Sequence, residues 1–232
     1  MIIRNAGEHL QFITQPDHAQ LARRMMESCT ALATNPRRPQ ILHAIGEHDN
    51  GWAEPDAAPM VDPATGDPLD FVSAPVAVRQ EVWPRAAQRL SNAPWAAGLV
   101  AQHAITVYER YRSDAAWTSF FARMEGIRDE MVRASGAPPD ILAHDYGFVR
   151  LGDLLSLAFC TGWTDELRFG HWRVIASGTD VRVSPDPFGG AVVAIAVRAR
   201  AVHRGPYRTD AELHAELARV RPTVLQGTAA GS

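Results

Sequence analysis

Residues 148–160 constrain the fold more than any other stretch of this chain. Phe148, Val149, Leu151, Leu154, Leu155, Leu157, Ala158, Phe159 and Cys160 leave almost no polar face, so a helix built from them has to be surrounded by other elements. The stretch holds a single acid, Asp153. Burying an ionised carboxylate is costly unless it is paired or coordinated, so the same helix that marks the centre of the fold also demands a partner there.

Several amphipathic stretches can surround such a helix. Thr14-Gln15-Pro16-Asp17 has the form of a helix start, with Thr14 as N-cap and Pro16 in the first turn. His18, Leu21, Ala22, Met25, Cys29 and Leu32 then share one helical face, which points His18 inward. After the break at Asn35-Pro36-Arg37-Arg38-Pro39, the face of Ile41, Leu42 and Ile45 continues onto His48 and Asp49, where Gly51 allows the chain to turn away. Further helical stretches fall at about 76–92, 95–112 and 114–134, with His103 inside the apolar stripe of the middle one. The central helix extends over about 144–162.

The flanking regions read differently. Residues 2–13 suggest a short strand, and residues 50–75, rich in Pro and Asp without periodicity, a long loop beginning at the His-Asp pair. Beyond Gly162, residues 171–176, 181–184 and 191–202 alternate as strands of a small antiparallel sheet; 209–219 suggests a capped helix and 227–232 a disordered tail. The expected architecture is mainly α. A helical domain over 1–162 carries a packed α+β element over 163–225 and a tail over 226–232.

Composition narrows the chemistry. The 232 residues suffice for one sizeable core, and Cys29 and Cys160 lie far apart in apolar contexts, as buried thiols in a reducing compartment would. All 23 basic residues are arginine, which excludes a Schiff-base lysine and a Walker-type phosphate loop. A net charge of -3 without a basic run argues against an obligatory nucleic-acid partner. With neither a signal-peptide core nor an apolar run of about 18 residues, the expectation is a cytoplasmic protein, not bound to membrane, and compatible with a homodimer.

Four helices thus each direct polar residues inward: His18, His48 with Asp49, His103, and Asp153. Imidazole nitrogens and carboxylate oxygens together suit a divalent cation such as Zn, Fe or Mn. Each residue taken alone has a blander role. A helix end explains His48-Asp49, an ion pair with Arg150 explains Asp153, and hydrogen bonding within the core explains a lone histidine. The case for a metal rests on the set.

The order His…His-Asp…Asp resembles the HD-domain superfamily of helical metal proteins. More closely, Ile13-Thr14-Gln15-Pro16-Asp17-His18, Glu47-His48-Asp49-Asn50-Gly51-Trp52 through Asp56-Ala57-Ala58-Pro59, Pro68-Leu69-Asp70-Phe71 and Asp186-Pro187-Phe188 are similar to a bacterial family catalogued as domain of unknown function 3891. The resemblance implies an HD-domain-like helical bundle with a small C-terminal antiparallel sheet and terminal helix. It also implies one divalent ion held by His18, His48, Asp49 and Asp153. A second ion, on His103 with Asp56, is the less favoured arrangement, because residues 50–102 lack the further histidines of dinuclear members. His103 and Asp49 are the expected catalytic residues. Trp52, Asp56 and Arg150 are the expected substrate contacts, with Arg23 a further candidate for clamping an anion. The expected activity is hydrolysis of a small-molecule phosphate ester or anhydride. The alternatives are a non-haem iron oxygenase and a non-catalytic binding or structural protein with a vestigial site.

Overall fold

The N-terminal segment forms a hairpin where a single strand is expected. In the computed structural model, which describes residues 1–232, β1 (Ile2–Ala6) and β2 (His9–Ile13) are joined through Gly7, whose φ of 72° suits glycine. Helix α1 (Gln15–Met26) starts at Thr14, whose side chain accepts from the Asp17 N–H as its sequence predicts. The helical region continues through α2 (Thr30–Ala33), α3 (Arg38–Glu47), α4 (Ala53–Ala57), α5 (Val76–Arg89) and α6 (Pro94–Tyr108), then α7 (Thr118–Ser135) and α8 (Leu142–Thr161). As its composition requires, α8 is central: α1, α3 and α6 pack on it, and it is buried along most of its length.

The chain then forms β3 (Leu167–Phe169), β4 (Trp172–Ser177), β5 (Asp180–Ser184) and β6 (Val192–His203), followed by α9 (Asp210–Arg219) and β7 (Thr223–Gly231). All seven strands belong to one mixed sheet, ordered β1-β2-β6-β7-β5-β4-β3, with β5 and β7 parallel and every other pair antiparallel. This overturns the expected HD-domain-like helical bundle with a small C-terminal sheet. The sheet is large and draws strands from both ends of the chain. One face lies on α1 and α8, while α9 covers part of the other beside β6. Leu10, Phe12, Val202, Leu213 and Leu217 form a second, smaller core beneath α9.

Residues 227–232 do not form the expected disordered tail, since most of them lie in β7, between β6 and β5. The strand lacks an alternating apolar pattern because its environment favours small residues. A Cβ on Gly227 would fall 2.0 Å from the Thr179 carbonyl oxygen and 2.7 Å from the Phe159 ring.

Residues 50–75 are also more ordered than an unstructured loop. They contain a 3-10 turn over Asn50–Trp52, helix α4, and an isolated bridge between Val61 and Pro68. Asp62 and Asp70 serve as turn acceptors, for the N–H groups of Ala64 and of Val72 and Ser73. No helix is long and apolar enough to cross a membrane.

Candidate metal centre

Two glycines let the site assemble. Gly152, the residue before Asp153, lies where α8 meets α1 and α3, and a Cβ there would come within 2.9 Å of Met26 and 3.1 Å of Ile45. Gly51 has no positive φ, so its role is not the left-handed turn that its place after α3 suggests. It is a point of close approach, where a Cβ would lie 1.8 Å from the Val82 carbonyl oxygen on α5. Gly51→Ala is therefore expected to destabilise the protein by on the order of 3 kcal/mol, by forcing α5 away from the His-Asp doublet. A denaturation midpoint measured beside wild type checks this.

His18 from α1, His48 at the C-cap of α3, the adjacent Asp49, and Asp153 from α8 converge in the interior, each no more than 5% exposed. Histidine nitrogens and carboxylate oxygens alternate around a ring. His18 Nε2 lies 3.1 Å from Asp153 Oδ1 and 3.7 Å from Asp49 Oδ2, and His48 Nε2 lies 3.5 Å and 3.4 Å from the same two atoms. Bonds of about 2.0–2.2 Å to one ion place neighbouring donors about 3.0–3.5 Å apart in octahedral or tetrahedral geometry. The observed separations lie close to that range.

Hydrogen bonding independently favours a ligand role for His48. Its Nδ1–H donates to the Ile45 carbonyl over 2.7 Å, which fixes the tautomer and leaves Nε2 as the coordinating atom. That Nε2 is buried and makes no hydrogen bond. A buried imidazole nitrogen without a partner, facing two carboxylates and a second imidazole, fits a divalent cation.

Asp153 divides its oxygens between two tasks. Oδ1 faces His18 and His48, whereas Oδ2 is held by Arg150 and lies 3.7 Å from His103 Nε2. The bland role of Asp153, an ion pair with Arg150, is thus present together with its place in the ring. Burial raises the Asp153 pKa, but the His18 hydrogen bond, the nearby His48 imidazole and the Arg150 charge outweigh it, holding the carboxyl well below its usual range. Asp49 is likewise ionised, burial being outweighed by His48. Burial lowers the His48 pKa, but Asp49 and then Asp153 oppose it more strongly, pushing it up to about 10.

His103, from α6, stands beside the ring. Its Nδ1 lies 3.3 Å from the Tyr146 hydroxyl and its ring packs on Trp83. Burial pushes its pKa down to about 3, so it is neutral at pH 7. Two sets of ligand atoms are each close enough to share an ion, those of His18, His48 and Asp49 and those of His48, His103 and Asp153.

Above the centre lies a cleft of about 300 Å³, lined by His18, Asp49, His103 and Asp153 and walled by Trp52, Phe71, Trp83, Tyr108 and Trp163, with Arg79, Arg110 and Arg150. Four N–H donors of these residues, on Trp52 Nε1, Arg79 Nε, Trp83 Nε1 and Arg150 Nε, are buried without an acceptor. Gln15 Oε1, also from the lining, is an unpaired acceptor. The balance is cationic and rich in donors.

Of the expected substrate contacts, Trp52 and Arg150 line this cleft and Asp56 does not. Asp56 is buried elsewhere, accepting from the Gln15 N–H and pairing with the Met1 ammonium. Its structural position also separates it from the second-ion arrangement suggested with His103. Arg23 pairs with Glu27 and takes no part in the lining. Trp83 and Tyr108, aromatic residues that could line a pocket by their sequence, do so, whereas nothing in the sequence marks Arg79, Arg110, Phe71 and Trp163 as cleft residues, because they come from separate segments.

No curated protein and no solved structure matches the chain. A family described as protein of unknown function (DUF3891) matches residues 1–204, a span that includes the whole ring and cleft, and the chain belongs to that family.

Proposed function

We propose that this protein is a metal-dependent hydrolase of a small-molecule phosphate ester or anhydride, with one divalent ion, Fe, Mn or Zn, held by His18, His48, Asp49 and Asp153. The observation that carries this reading is a ring of four ligand atoms at the base of a cleft whose unpaired groups are mostly N–H donors. The ligand order also resembles that of HD-domain proteins. This likeness supports the metal reading without extending to the sheet-bearing fold.

A bound divalent ion lowers the pKa of a water toward about 7 and polarises a phosphoryl oxygen. The remaining work falls to the chain. Arg150 fixes Asp153, and its guanidinium, part of the cleft lining, can attract an anionic group. Neutral His103 can accept a hydrogen bond at Nε2 beside the ring, while the aromatic walls exclude water from the bound group.

The direct test is a panel of nucleotides and phosphomonoesters with protein loaded separately with Mn, Co, Ni, Zn or Fe(II). Turnover removed by a chelator is expected. Absence of turnover with every metal would count against the hydrolase, and substrate-dependent oxygen consumption by the Fe(II) protein would favour an oxygenase. Within an active preparation, His103→Ala is expected to lower kcat by about 100-fold or more while retaining metal, measured by steady-state kinetics and elemental analysis.

Metal uptake should depend on pH. The His48 pKa of about 10 keeps Nε2 protonated near neutrality in the metal-free protein, so the ion must displace that proton. Apparent affinity is expected to rise about tenfold per pH unit from pH 7 toward 9, with about one proton released by His48 per ion. Calorimetry in buffers of different ionisation enthalpy measures that release.

A further inference from the structure

Other arginines of the same segments of chain have carboxylate partners: Arg85 and Arg89 of α5 pair with Glu54, and Arg112 with Glu109 and Glu125. Arg79 and Arg110, both lining the cleft, are held differently. The Arg79 guanidinium lies 5.6 Å from the Tyr111 ring centroid and 5.5 Å from that of Trp117, and Arg110 lies 4.9 Å from Tyr111. Tyr111 and Trp117 are stacked, with centroids 4.8 Å apart and planes within 7°. Arg79 donates to the Tyr111 hydroxyl over 3.4 Å, and its Nε is buried without an acceptor.

Aromatic faces position a guanidinium without neutralising it, whereas a carboxylate partner would do both. Two cations supported by one tyrosine repel each other, and an anion relieves that repulsion. Arg110 is exposed, placing this pair toward the outer part of the cleft, whereas Asp153 and its ring are buried.

We propose that Arg79 and Arg110 form a second anion subsite, so that the substrate carries another anionic group besides the phosphoryl group bound at the buried centre. The inference rests on the hydrolase reading for the identity of the first group. A substrate with one anionic end would leave the outer guanidiniums unmatched, whereas one with two would engage both ends of the cleft. The subsite therefore selects for molecular length as well as charge.

The test uses Mn-loaded protein and n-alkyl phosphates, ω-carboxyalkyl phosphates and alkane bisphosphates with two to six carbons, with binding read by tryptophan fluorescence. At one or two chain lengths, a doubly anionic probe is expected to bind at least about tenfold more tightly than its singly anionic counterpart. The advantage should shrink to about twofold or less in Arg110→Gln and in Arg79→Gln. Arg110 is exposed, so its variant keeps the test decisive even if loss of Arg79 disturbs the aromatic stack.

No advantage at any length, or an undiminished advantage in both variants, would overturn the subsite. Selective binding of doubly anionic probes without hydrolysis of any phosphate would support the subsite and count against the hydrolase. Hydrolysis without such selectivity would do the reverse.

Discussion

Asp153→Asn is expected to yield folded protein that purifies without metal. The amide has nearly the volume of the carboxylate but lacks its charge, and it can present an oxygen to only one of two opposing environments. Wild-type Oδ1 faces His18 and His48 while Oδ2 is held by Arg150. An asparagine that directs oxygen toward Arg150 directs its NH₂ group into the ring, and the reverse orientation sets NH₂ against a guanidinium. Either arrangement should weaken divalent-ion binding by more than about 100-fold, since even residues outside the ligand set commonly contribute 10- to 100-fold. Elemental analysis after anaerobic purification, with His48→Ala beside it and circular dichroism as a check on folding, measures the effect. Full metal occupancy in both folded variants would remove the ring from consideration as the metal site.

Deleting residues 223–232 is expected to abolish cooperative folding. β7 pairs with β6 over eight residues and with β5 over four, and it buries Ala229 and Ala230. Its removal separates β1-β2-β6 from β5-β4-β3 and exposes a long edge on each half. Each lost backbone hydrogen bond contributes about 1 kcal/mol, and buried side chains add to that. The sum approaches the whole stability of about 5–15 kcal/mol typical of a protein domain. Urea denaturation followed by far-ultraviolet circular dichroism should therefore lack the sigmoidal transition of the intact chain. A cooperative transition with a similar midpoint would show that the two halves of the sheet are held independently by α1 and α8.

The ring was legible in the sequence because His18, His48 and Asp49 sit on, or directly after, amphipathic helices, while Asp153 is the one acid in the almost wholly apolar stretch 148–160. Once α8 is central and the apolar faces of α1 and α3 turn toward it, His18, His48, Asp49 and Asp153 converge without further assumptions. The sheet was less legible because its decisive pairings are distant. Nothing near His9–Ile13 indicates that it pairs with residues at 200–203, and nothing apolar in Gly227 or Thr228 suggests an internal strand. Arg79 and Arg110 were obscured for another reason. Among 23 basic residues, all arginine, an arginine supported by aromatic rings has the same local sequence signal as one paired with a glutamate.

The placement of β2 beside β6 also bears on the order of folding during synthesis. β2 ends at Ile13, whereas β6 begins at Val192. At about 5–20 residues per second, the ribosome needs roughly 10–40 seconds to supply the partner of the first hairpin. Throughout that interval the inner edge of β2 has unpaired N–H and C=O groups, and α1 and α8 lack the sheet against which they pack. The nascent chain is thus most exposed to aggregation late in translation, when most of its helices exist but the sheet cannot yet close.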